Sequence, residues 1–99
     1  MAETLQSAAS ALRALDLLLD RFAEGVTPSD VARWLKVSPQ TAGRVLNTLL
    51  ETGHAEQIPE TGRWRASHAF ARKAIFIMQS LDNASARLEE SRARLTGGA

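Results

Sequence analysis

Six residues in one short stretch, five polar side chains and a glycine, make a surface of the kind that reading a base pair requires. Gln40, Thr41, Gly43, Arg44, Asn47 and Thr48 fall between the apolar positions Ala42, Val45, Leu46 and Leu49. The apolar set recurs at spacings of three, one and three, which lays one stripe of a helix on a body and turns the six away from it. That outer side holds short hydrogen-bonding groups, a single cation and a glycine, without the Glu and Lys that solvate most exposed helices. Gln and Asn can pair with an adenine edge, Arg with a guanine, and Thr can touch a thymine methyl. A short amphipathic helix with its polar side in water would show the same periodicity.

No comparable set exists for catalysis. The chain has no cysteine, no glycine-rich phosphate loop after a strand and no His-Glu-x-x-His, so the expectation is no enzyme, no cofactor and no metal. His54 and His68, with Glu56 nearby, are the only candidates for a metal site. Two histidines at the ends of a hairpin are ordinary surface residues unless a third or fourth ligand joins them.

The elements that position the six follow from caps and periods. Ser38 suits an N-cap and Pro39 the first helical position, so the recognition helix is expected over residues 38–50, with Ser38 itself a candidate contact. Before it, Thr27, Pro28 and Asp30 start a shorter helix whose inward face is Val31, Trp34 and Leu35, with Trp34 as a core or shoulder residue. Val37 plugs the tight turn between them, and the pair makes a helix-turn-helix. A first helix is expected over residues 7–23, with Leu12, Leu15, Leu19 and Phe22 inward, Leu5, Ala8 and Leu18 widening the stripe, and Gly25 stopping it. So wide a stripe implies either deep burial or an edge that meets a partner chain.

After Gly53, a helix C-cap, the period changes. Residues 54–58 and 63–67 are extended runs around Pro59-Glu-Thr-Gly62, which predicts a β-hairpin with Trp64 and Ala66 on one face and Arg63 and Arg65 on the other. Behind a helix-turn-helix such a hairpin is a wing, whose arginines would lie along the sugar-phosphate backbone or the minor groove; an ordinary surface hairpin is the alternative.

From residue 68 to 95 the helical period returns. Phe70, Ala74, Ile77, Leu81, Ala84 and Leu88 form a heptad seam, continued by Ser91 and Leu95, and are the candidate dimerisation residues. Ile75, Phe76 and Met78 lie off the seam and are expected to pack on the domain. Lys73, Arg87 and Arg94 on one flank and Arg92 on the other oppose a parallel in-register pair, so an antiparallel or crossed pairing, or packing on a partner's first helix, stays open. The expected organisation is therefore a winged helix-turn-helix domain over 1–67, a long C-terminal helix over 68–95 and a disordered tail over 96–99; the fold class is mainly α with a small β-hairpin.

Charge fits the same reading. Of the net +1, residues 1–32 contribute −3, residues 33–73 contribute +4 and residues 74–99 contribute zero, so positive charge gathers around the recognition helix and the wing. No apolar run reaches the roughly 20 residues that cross a bilayer and the first residues lack the basic start of a signal peptide, so a cytoplasmic protein with no membrane partner is expected.

The order helix, helix-turn-helix, wing, long helix resembles the N-terminal DNA-binding domain of the IclR family of bacterial transcription regulators. The likeness is carried by residues 10–18 (Ser-Ala-Leu-Arg-Ala-Leu-Asp-Leu-Leu), residues 41–49 (Thr-Ala-Gly-Arg-Val-Leu-Asn-Thr-Leu), Gly53 and residues 62–65 (Gly-Arg-Trp-Arg). Thr41 and Arg44 look like the family's Ser-Thr-x-x-Arg pattern, with Gln40 in place of the usual Ser and Gly43 where a larger residue is common. The resemblance implies DNA contacts at Gln40, Thr41, Gly43 and Arg44, and a chain without the family's effector-binding domain. The expectation is a sequence-specific double-stranded DNA-binding protein, a small homodimeric transcription regulator. The alternative is a winged-helix adaptor that binds protein through its long helix.

Overall fold

A computed structural model describes residues 3–97. It contains α1 (Gln6–Asp20), α2 (Pro28–Leu35), α3 (Pro39–Glu51), β1 (Ala55–Gln57), β2 (Trp64–Ala66) and α4 (His68–Leu95). The chain is mainly helical with one small antiparallel hairpin, in the order of a winged helix-turn-helix followed by a long C-terminal helix.

Local chemistry sets the helix starts. Thr27 and Asp30 form a capping box at α2: the Asp30 N–H donates to Thr27 Oγ1 at 3.1 Å, and the Thr27 N–H donates to Asp30 Oδ2 at 3.0 Å. The Thr27 N–H bond to the carboxylate favours its ionised form and, with the Thr27 side chain, holds the Asp30 carboxyl below its ordinary value. Ser38 caps α3 by accepting from the Thr41 N–H at 3.2 Å. The turn between α2 and α3 is residues 36–38, in which Lys36 adopts a left-handed conformation with φ 58°.

The core forms where α1, α2, α3 and the hairpin converge. Leu18 and Leu46 are its largest fully buried side chains with Val26 and Val31, and Ala14, Ala42, Trp64 and Ala66 close it. The strands pair in the register Ala55 to Ala66, Glu56 to Arg65 and Gln57 to Trp64, which sends Trp64 and Ala66 inward as alternation predicts. Trp64 also exchanges backbone bonds with Val26, at 2.8 Å from the Val26 N–H and 2.7 Å from the Trp64 N–H. The segment before α2 is thereby a rudimentary third strand, which periodicity did not reveal. Gly25, at φ +76°, enters that strand so closely packed that a Cβ would lie 2.8 Å from Ile58 Cδ1.

Three expectations are corrected. Helix α1 ends at Asp20, short of residue 23, and its buried residues are Ala14, Leu15, Leu17 and Leu18. Leu5, Leu12 and Leu19 are exposed, Leu12 at 64 %. The two available stripes on this leucine-rich helix are adjacent, and α2 and α3 cover the one through Ala11, Ala14, Leu15 and Leu18. Trp34 does not face inward: Val31, Ala32 and Leu35 lie within one arc of about 100° on the short α2 and fill the core side. Trp34 is left on the shoulder, 54 % exposed, with its Nε1–H donating to the Arg13 carbonyl at 3.2 Å.

The third correction concerns α4. Ile75, Phe76 and Met78 do not pack on the domain, and none of the helix's 28 residues is buried. The anchor is confined to its first turn. Ser67 Oγ accepts from the Phe70 N–H at 3.0 Å and donates to the Gly53 carbonyl at 2.7 Å, Phe70 tilts against His54, and His68 meets Phe22 edge to face. Beyond that turn the helix leaves the body. The radius of gyration is accordingly 19.6 Å, against about 13 Å for a compact chain of this length. Thr96 and Gly97 close α4 with backbone bonds to the Arg92 and Arg94 carbonyls, and residues 98 and 99 of the expected tail lie outside the described residues.

Candidate nucleic-acid interface

Helix α3 buries Ala42, Leu46 and Leu49 and half-buries Val45, so the helix-turn-helix presents the opposite side outward. Gln40, Arg44 and Asn47 are exposed along that side at spacings of four and three. Gly43 lies beside them, with nothing within 4 Å of where a Cβ would sit. Thr41 and Thr48 occupy the flank that turns toward α1, and their hydroxyls are engaged locally: Ser38 Oγ donates to Thr41 Oγ1 at 3.0 Å and Thr48 Oγ1 donates to the Arg44 carbonyl at 2.8 Å. The groups that can meet a ligand are the two amides, the Arg44 guanidinium, the threonine methyls and the remaining hydroxyl capacity, since Thr41 Oγ1 only accepts and Thr48 Oγ1 only donates in these bonds.

Arg44 belongs to a second feature as well. A groove of about 700 Å³ runs between the N-terminal half of α1, the α2–α3 turn and the α1-facing flank of α3. It is lined by Arg13, Lys36 and Arg44 together with Ser7, Ser10 and Thr41. No carboxylate lines it, and among the described residues none of the three cations has an ion-pair partner within 4 Å. Asp16 lines an adjoining pocket that Arg13 and Lys36 share with Trp34 and Leu35. Sequence reasoning missed Arg13 and Lys36. A usable signal was present in the polar line Gln6, Ser10, Arg13 along α1, at spacings of four and three.

The wing separates its two arginines. Arg63 is half-buried, its backbone N–H donating to Thr61 Oγ1 at 3.2 Å, and its charge helps lower the Asp30 carboxyl at the start of α2. Arg65 is held inside a cluster. Its Nε–H donates to Glu56 Oε2 at 2.9 Å, a second guanidinium nitrogen lies 2.8 Å from the same oxygen, and the guanidinium carbon sits 5.6 Å from the Phe22 ring centre. Its side chain is only 19 % exposed. The structure thus brings Arg44 together with Thr41 and Thr48, while Arg65 answers to a carboxylate on its own hairpin.

Glu56 links that cluster to α4 by accepting from the His68 N–H at 3.1 Å and lying 2.8 Å from His68 Nδ1. Burial pushes the Glu56 carboxyl up, but the His68 backbone N–H, the Arg65 guanidinium and the His68 ring together outweigh it, and the net displacement is downward. His54 turns instead to Thr52 Oγ1, at 2.9 Å, and to the Phe70 ring. The two histidines therefore share no ligand position, and no group of three His, Cys, Asp or Glu able to hold a metal occurs among the described residues.

Of the expected dimerisation residues, Phe70 is committed to its own body, packed on the core edge. Ala74, Ile77, Leu81 and Leu88 are exposed and Ala84 is half-exposed. Ile75, Phe76, Ile77 and Met78 are consecutive and all more than half exposed. With about 100° between neighbours they encircle the helix. No helix among the described residues is long and apolar enough to cross a membrane. Comparison of the chain with protein-family models, curated proteins and solved structures finds no match among any of the three.

Proposed function

We propose that this chain is a sequence-specific double-stranded DNA-binding protein, a small homodimeric transcription regulator acting in the cytoplasm, of the kind that the likeness to the IclR DNA-binding domain implies. Helix α3 enters the major groove and the hairpin at residues 54–67 serves as the wing. The observation that carries the reading is the exposed line Gln40, Arg44, Asn47 beside the bare Gly43, a face that can approach base edges closely and bears one cation with no ion-pair partner among the described residues. The reading needs no catalytic residue, metal or cofactor.

Selection of bound duplexes from random DNA, followed by titration over a range of salt, tests it. Affinity should fall with salt at a log-log slope of about −0.9 for each phosphate neutralised. Arg44→Ala should weaken the selected duplex by about 1–3 kcal/mol if the side chain pairs with a guanine. Unchanged affinity in a variant that still melts cooperatively would remove α3 as the reader.

One observation favours a second reading, the apolar belt on α4, which a protein adaptor would use to dock a partner. An adaptor interface of that kind changes little with salt, so the same titration separates the two. Under the DNA reading the belt and seam hold a second copy, and two copies of α3 address half-sites about one helical turn or a multiple of it apart.

A further inference from the structure

We infer that the groove between α1 and α3 is a phosphodiester site, in which Arg13 and Lys36 hold the DNA backbone strand that borders the major groove entered by α3. The inference rests on the DNA reading and adds residues that α3 and the wing do not contain. An α-helix with its side chains is about 10–12 Å across and the major groove about 12 Å wide, so a helix seated there has a sugar-phosphate strand along each flank. One flank of α3 is the wall of this groove. Arg44 stands at the boundary, exposed on the outer face and lining the groove at once.

The lining has the chemistry of an anion site. Three cations line one open concavity that holds no carboxylate, none has an ion-pair partner within 4 Å among the described residues, and Asp16 lines the adjoining pocket. A lining of one charge sign attracts a polyanion, and Ser7 and Ser10 line the same groove as hydroxyl-bearing residues. The Arg13 backbone carbonyl receives the Trp34 Nε1–H, which ties the first helix to the second at the residue whose side chain reaches the groove.

Lys36 supplies an independent observation. It is the non-glycine residue with positive φ among the described residues, at 58°, at the C-cap of α2 where glycine is the usual occupant. A lysine held in that conformation at a backbone cost, and lining a cationic groove, points to a role for the charge itself.

The test uses the full chain, a duplex recovered by selection and its scrambled counterpart, with helicity and melting followed in parallel. Lys36→Gly relieves the left-handed turn, and Arg13→Ala leaves the Trp34 bond to the backbone intact, so both variants should fold. Each should lower affinity for both duplexes by a similar factor and reduce the magnitude of the salt slope by about one. Arg13→Lys should recover most of that slope, since a phosphate contact needs a charge more than a fork. If the unaltered chain binds with a steep salt slope and both variants keep it, the groove is not a backbone site and the DNA reading survives. If the unaltered chain shows no salt-dependent binding to either duplex, the DNA reading fails and takes the inference with it. Inorganic phosphate that binds the chain through Arg13 and Lys36, while both variants keep the unaltered chain's affinity for both duplexes, would assign the groove to free phosphate and overturn the backbone assignment.

Discussion

Residues 6–67 and α4 contain similar kinds of apolar side chain and treat them in opposite ways. In the body, leucines and valines from three helices and a hairpin converge, and Leu18, Leu46, Val26 and Val31 lose essentially all contact with water. In α4, Ile75, Ile77, Leu81 and Leu88 stay more than half exposed, Leu88 at 67 %. Hydrophobicity alone therefore does not decide burial; the presence of an opposing surface does. A helix apolar on all sides is normally enclosed, and fully burying a Leu or Ile contributes about 1.5–3 kcal/mol. The exposed line of Leu5, Leu12 and Leu19 on α1 belongs with α4 in this respect.

The most direct way to break this contrast is to truncate one leucine in each region. Leu46→Ala leaves a cavity in the core and should cost about 2–5 kcal/mol, read from urea unfolding. Leu88→Ala, measured at a dilution where only monomer remains, should change stability by less than about 0.5 kcal/mol. Equal losses would mean that α4 is covered within a single chain. At higher concentration Leu81→Asp with Leu88→Asp should give a folded monomer where the unaltered chain sediments as a dimer. A monomeric unaltered chain, both free and on DNA, would remove the dimer from the functional reading.

What could be read from the sequence divides along the same lines. The α3 stripe and the starts of α2, α3 and α4 were legible because a cap and a period of 3.6 act within a few residues. The choice between adjacent stripes on α1 was not, since Leu12, Leu15, Leu17, Leu18 and Leu19 offer more apolar surface than α2 and α3 cover. Trp34 holds the shoulder place allowed for it but not the inward one: it lies three residues from Val31, while the core side of so short a helix centres on Val31, Ala32 and Leu35. The Arg13–Lys36–Arg44 groove joins α1 to the α2–α3 turn and α3, which lie well after it in the chain, so charge summed by segment hid Arg13 in an acidic stretch. The Glu56–Arg65 pairing was within reach. With residues 59–62 as the loop, 58 faces 63 and therefore 56 faces 65, so the arginine assigned to the outer face has a carboxylate directly across the hairpin.

Two glycines sharpen the comparison at smaller scale. Gly25 sits inside the body at φ +76°, where a Cβ would also lie 3.0 Å from Arg63 Cβ and 3.1 Å from the Trp64 carbonyl oxygen. Gly25→Ala should destabilise the chain by about 1–3 kcal/mol through strain and crowding against the hairpin. Gly43 lies within α3 with open space around it. Gly43→Ala should therefore stabilise by about 0.5–1 kcal/mol, because alanine loses less backbone freedom in a helix. Paired thermal melts of the two variants check both signs. A loss at Gly43 equal to that at Gly25 would mean that α3 is crowded on the face described as open.

The smallest expected effect tests the joint between the two regions. Glu56 fastens the hairpin to the first turn of α4 through Arg65 and His68, and its carboxyl is displaced downward in the folded chain. A carboxylate whose folded pKa lies below its unfolded one contributes stability that is fully present above the unfolded value and is lost as pH falls through the folded value. Glu56→Gln should therefore be less stable than the unaltered chain at neutral pH, by less than about 1 kcal/mol because the group is partly solvated. The difference should shrink as the solution is acidified through the ordinary carboxylate range and on to the lower folded value. High salt should shrink it too, since the Arg65 contribution is screened. Urea unfolding of both proteins at a series of pH values gives the difference directly. A gap that persists undiminished in acid would show that Glu56 acts through packing and not through its charge.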